Sequence, residues 1–153
     1  MTSPARPSVA APPDWTFPVP ARQVLDNGLT LLTYDLPGQY VLAVRVGVPL
    51  TLRAEPRDKE GVASIMAATL DEGTVRHGAE EFARLLERKG ISFGAACSET
   101  GLFADLDVVK GNLGPALDLL RQMLTEPAFR EAEVSRQVRA RLAEIDQQRA
   151  VPA

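Results

Sequence analysis

The sequence predicts an α+β fold, a mixed or antiparallel sheet with helices packed chiefly on one face. Three observations predict it. An Asn27-Gly28 pair sits between apolar runs early in the chain, the hydrophobic period lengthens from two to that of a helix at Gly61, and residues 91–108 return to alternation before two more helical stripes. The expected order is β-β-β-α-α-β-β-α-α.

Residues 1–20 carry six prolines and little periodicity, so helix and ladder hydrogen bonds are both interrupted and an irregular arm is expected. Trp15 and Phe17 stand out in it. Aromatics dominate buried area, so these two are expected to pin the arm to the domain surface rather than to bind a ligand. A single domain is expected over residues 21–150. Asn27-Gly28, between Val24 and Leu25 on one side and Leu29, Leu31 and Leu32 on the other, predicts a hairpin with a type I′ turn, which needs positive φ at both central residues. Residues 40–48 follow as a strand. Val41, Leu42, Val44, Val46 and Val48 fall on both of its faces with Arg45 the main interruption, as in a central strand covered on both sides.

From Gly61 the apolar residues Val62, Ile65, Met66, Thr69 and Leu70 make one helical stripe, with Gly73 as the stop. A second helix spans about residues 79–89. It turns Phe82, Leu85 and Leu86 inward, sets Glu80 four residues before Arg84, and breaks at Gly90. Residues 91–97 and 102–108 alternate as a second hairpin. The last two helices carry Leu113, Leu117, Leu120 and Leu124, then Val134, Val138, Leu142 and Ile145. The stop at Ala153, directly after the last stripe, is what a piece of a longer chain would show.

The 153 residues suffice to bury roughly 70% of the unfolded surface without disulfides or metal. One Cys and one His exclude an internal disulfide, a multi-thiolate zinc site and any site built from two histidines of one chain. A net charge of −3 with interspersed signs offers no basic field for nucleic acid or an anionic membrane. No apolar run reaches the roughly 20 residues of a spanning helix, and the N-terminus lacks an export pattern. A cytoplasmic location is therefore expected.

Three stretches together resemble the N-terminal domain of the insulinase and pitrilysin-like metallopeptidases, a metallohydrolase-like half-domain. They are Leu25-Asp26-Asn27-Gly28-Leu29, then Glu55-Pro56 with Gly61-Val62-Ala63 and Glu72-Gly73-Thr74, and finally Gly90 with the second hairpin and Arg141-Leu142-Ala143-Glu144-Ile145. The match spans about residues 22–148. In active members the framed helix carries H-x-x-E-H, and a further Glu completes the zinc site. Here the resemblance puts Ser64 at the first His, Ala67 at the Glu and Ala68 at the second His, while Glu144, 76 residues beyond Ala68, matches the third ligand.

A catalytic zinc needs about three protein ligands and an open position for water. Glu144 alone cannot supply that. Ala67 also lacks the general base that would deprotonate the bound water, a group worth about 10² to 10⁴ in rate. Ser64, Ala67 and Ala68 are thus degenerate positions, and no catalytic, metal or cofactor residue is assigned.

Other candidates have ordinary explanations. His77 lies outside the framed helix, with no second His, and is expected as a solvent-facing loop residue or a helix cap. Asp71 and Glu72 are adjacent, so they point in different directions and read as a solvated helix end. Cys97 shares a strand face with Ile91, Phe93 and Ala95 and reads as a buried, inert thiol. Arg136, Arg139, Arg141 and Arg149 are offset by Glu131, Glu133, Glu144 and Asp146 as a mixed-charge solvated face.

The resemblance implies half-clamps that enclose an extended peptide, some of them heterodimers in which one subunit has lost zinc. It implies here a non-catalytic homologue that holds no zinc itself, supports peptide binding and assembles with a zinc-bearing sister subunit. Two alternatives stand beside it: a purely structural subunit without peptide handling, and an active zinc metalloendopeptidase.

Overall fold

A computed structural model describes residues 14–150, so most of the expected arm lies outside the described residues. The chain divides into two compact units between Gln39 and Tyr40.

The first unit is the antiparallel hairpin of β1 (Ala21–Val24) and β2 (Thr30–Thr33). Its turn differs from the expected type I′. Only Gly28 has positive φ, at 85°, while Gly28 N–H donates to Leu25 O and Leu25 N–H to Leu29 O, both at 2.8 Å. That is a three-residue loop closed by a left-handed glycine. Asn27 serves through its side chain, whose Oδ1 accepts from Leu29 N–H at 3.1 Å. The aromatics of the arm stack edge-on within this unit, Trp15 on Phe17 at 5.6 Å and Phe17 on Tyr34 at 6.0 Å.

The second unit runs β3 (Val41–Val48), α1 (Val62–Thr69), α2 (Ala79–Arg88), β4 (Ile91–Cys97), β5 (Leu102–Val109), α3 (Leu113–Thr125) and α4 (Glu131–Ala150). The fold is α+β. Its antiparallel sheet has the order β3-β5-β4, separate from the β1-β2 hairpin. β5 is therefore the central strand, and β3, expected at the centre, pairs only with β5 among the described residues. Along β3 the half-buried Leu42, Val44 and Val46 alternate with exposed Val41, Ala43, Arg45 and Gly47, so one face is open. The valine-rich run misled because β-branched residues also suit an exposed pleat.

α2 and α3 cover the other face. Leu106 and Val108 of β5 pack with Phe82, Leu86, Ala116, Leu120 and Met123 into one core. Across α3 the buried face is Ala116, Leu119, Leu120 and Met123, whereas Leu117 of the expected stripe is 43% exposed. Leucines on several sides of that helix hide its orientation. α1 likewise turns in Ala63, Ala67 and, from the expected stripe, Thr69, with Leu70 buried just beyond it, leaving Val62 exposed and Ile65 and Met66 half-buried. Small side chains there allow the helix to lie close to β4 and α4.

α4 departs furthest from expectation. None of its residues is buried, and of the expected inward stripe Val138 and Leu142 are exposed while Val134 and Ile145 are half-buried. Cys97 is half-buried rather than buried, its thiol 3.3 Å from Leu50 O. Among the described residues no helix is long and apolar enough to cross a membrane.

Candidate functional site

The site is built on α1, whose two ends are fixed by the motifs that frame it. At the N-terminus Gly61 has no side chain with which to cap, and Glu55 does so instead: Oε1 accepts from Ala63 N–H at 2.6 Å and Oε2 from Gly61 N–H at 3.1 Å. The carboxylate also complements the positive end of the helix dipole. At the C-terminus Gly73, at φ 101°, turns the chain into Thr74. Thr74 is fully buried, and its hydroxyl accepts from Arg76 N–H at 3.2 Å and His77 N–H at 3.3 Å. Arg130 donates to Thr74 O at 3.0 Å and so ties this turn to the start of α4.

Ser64 and Ala68, one helical turn apart, face α4 across a small open pocket of about 140 Å³. Ile65 completes the α1 wall, and Gln137, Arg141 and Glu144 line the opposite side. The fold thus brings Ser64 and Ala68 together with Glu144, which lies 76 residues beyond Ala68, while Ala67 is turned into the interior at 3% exposure.

Zinc does not fit these groups. The pocket offers a hydroxyl, a methyl and one carboxylate where about three ligands are needed, and no cluster of three His, Cys, Asp or Glu suited to a metal exists among the described residues. Glu144 is already engaged. Its Oε2 lies 2.6 Å from Arg141 Nη1 and its Oε1 accepts from Gln148 at 3.3 Å. Arg141 lies on the exposed mixed-charge face expected of it and pairs there with Glu144, whereas Gln137 lines the pocket without a signal in the sequence.

Asp71 and Glu72 are not a solvated helix end. Glu72 is 19% exposed, pairs with Arg136 and accepts from Gln137 at 2.8 Å, while Arg136 also reaches Glu133 at 3.2 Å. Burial pushes the Asp71 carboxyl above its ordinary range. α4 lacks a buried face, and this polar clamp is part of what holds it to α1. His77 is not among the pocket residues. Its side chain is 26% exposed, with Nδ1 3.1 Å from Glu81 Oε1 but off hydrogen-bond geometry, and its carbonyl accepts from Thr74 N–H at 3.0 Å. It is a half-buried loop residue, as expected, and does not cap α2, whose N-cap is Gly78. A second, mainly apolar pocket of about 210 Å³ lies at the other end of α1, between Leu50, Ala54, Pro56, Val62 and Met66.

Residues 32–152 match the insulinase family, peptidase family M16. The chain belongs to this family. A Rickettsia felis protein described as an uncharacterized zinc protease is 26% identical over 121 residues, covering 79% of this chain and 29% of the relative. The Helicobacter pylori non-peptidase homolog YmxG is 36% identical over 73 residues, 48% of this chain and 17% of that one. Among solved structures, an M16 inactive domain from Pseudomonas fluorescens superposes with a TM-score of 0.79 at 21% identity, over 87% of this chain and 32% of that one. A Helicobacter pylori protease gives 0.70 at 22% identity, over 81% and 30%. These two likenesses establish the fold. The chain spans less than a third of the length of the relatives it matches.

Proposed function

We propose that this M16 chain is the N-terminal domain of a non-catalytic subunit that supports peptide binding and assembles with a zinc-bearing sister subunit. The carrying observation is the pocket between α1 and α4: of the positions that would hold zinc and its general base, Glu144 alone retains a ligand, and Ser64, Ala67 and Ala68 offer no substitute. The inactive M16 domain and the non-peptidase homolog among its relatives support the reading. A cytoplasmic location belongs to the same proposal.

Relatives described as zinc proteases favour the alternative of an active enzyme. Elemental analysis of the purified chain separates the two. The proposal expects no stoichiometric zinc and no peptidase activity from the chain alone; one tightly held zinc per chain would overturn it. Co-expression with a sister chain carrying an intact H-x-x-E-H motif then tests partnership. Peptidase activity that depends on this chain is expected, and a partner equally active without it would leave only a scaffold role.

A further inference from the structure

We infer that Arg141 is the resident cation of the α1–α4 pocket, and that it bars a divalent metal from Glu144 independently of the missing histidines. The inference rests on the non-catalytic reading and asks what took the place of the metal's charge. Zinc-site loss at Ser64, Ala67 and Ala68 removes donors, which leaves a pocket with an unbalanced carboxylate. Arg141 balances it. It sits on α4 three residues before Glu144, lines the same pocket, and places Nη1 2.6 Å from Oε2.

The second carboxylate oxygen is also engaged, by Gln148 from the next turn at 3.3 Å. Both oxygens of the last ligand position therefore accept hydrogen bonds from their own helix. A dication entering the pocket would have to displace a guanidinium from Oε2 and would still meet that positive charge, because Arg141 lines the same pocket. The half-exposed pair contributes little to stability by itself. Its effect is on which cation the carboxylate serves.

The test restores donors and varies only the cation. Ser64 and Ala68 both line the open pocket, so a histidine at either position would be placed at it. The S64H/A68H double variant is titrated with Zn²⁺ against a chromophoric chelator, alone and with Arg141→Met or Arg141→Lys added. Met keeps the long side chain and removes the charge; Lys keeps the charge. The inference expects the Met triple variant to bind Zn²⁺ at least about tenfold more tightly than the double variant, and the Lys triple variant to stay with the double. Equal affinities with and without Arg141→Met would overturn it, as would a Lys triple variant as tight as the Met one, or a Met triple variant that binds no zinc. If the histidine pair does not fold, Ala68→His alone, with and without Arg141→Met, gives the same comparison through two donors. Zinc in the unmodified chain would sink the non-catalytic reading, whereas the Arg141 comparison can fail while the unmodified chain stays free of zinc, so the two failures are distinct.

Discussion

Glu55 closes the N-terminus of α1 from outside the helix, with Oε1 2.6 Å from the Ala63 N–H and the chain between them folded through a short 3-10 turn at Arg57–Lys59. A helix of eight residues whose N-cap is a left-handed glycine has little stability of its own, so this carboxylate decides whether α1 presents Ser64 and Ala68 to α4. Glu55→Ala is expected to cost about 1–2 kcal/mol, by analogy with the loss of a capping acceptor. Glu55→Gln, which keeps one acceptor oxygen, should cost less. Urea unfolding of the two variants checks the order; a Glu55→Ala midpoint equal to that of the unmodified chain would mean that α1 is fixed by packing alone.

Gly73 and Gly28 both have positive φ, yet their surroundings separate two causes of glycine dependence. A Cβ on Gly73 would lie 2.8 Å from His77 O, 2.8 Å from Arg130 Nη1 and 2.9 Å from Ala79 N, whereas one on Gly28 would meet nothing within 4 Å. Gly28→Ala should therefore cost only the left-handed penalty, about 1–2 kcal/mol. Gly73→Ala adds a backbone clash beside the Thr74 turn and should cost clearly more, above about 2 kcal/mol. Equal costs in denaturant melts would show that the Gly73 turn relaxes freely.

How far these features could be read in the sequence follows from how local their signals are. Both hairpins were legible because alternation and Asn-Gly act over a few residues, although the first turn's type was not, since Asn27 could serve through its side chain instead of a positive φ. The spacing of Ser64 and Ala68 was enough to put them on one helix face, and Glu144 joined them through the family pattern. The face of α3 was hidden by leucines on several sides, and α4 carries an apolar stripe that the unit does not bury. Arg141 pairs with Glu144 on an exposed face, as the mix of signs along the last helix predicts, whereas Asp71 and Glu72 were misread because a charged residue looks the same in sequence whether it is solvated or facing a neighbouring helix.

Asp71 provides a pH test of that last distinction. Burial is the main reason its carboxyl is held above the ordinary 3.8, with Glu72 adding to the rise while its backbone hydrogen bond and Arg136 oppose it. An acid with a raised folded pKa is accommodated best when protonated, so its stabilising contribution is complete below its unfolded value and is lost as pH rises through the folded one. Asp71→Asn stays neutral throughout. The variant is therefore expected to be more stable than the unmodified chain at pH 7, by less than about 1 kcal/mol because the partly exposed site is screened by solvent. That advantage should shrink as pH falls toward 3.8, where the native carboxyl becomes neutral too. Urea midpoints measured from pH 7 downward check this. A variant less stable at pH 7, with a deficit that fades on acidification, would mean that the attraction of Arg136 outweighs burial and that Asp71 belongs to the clamp between α1 and α4.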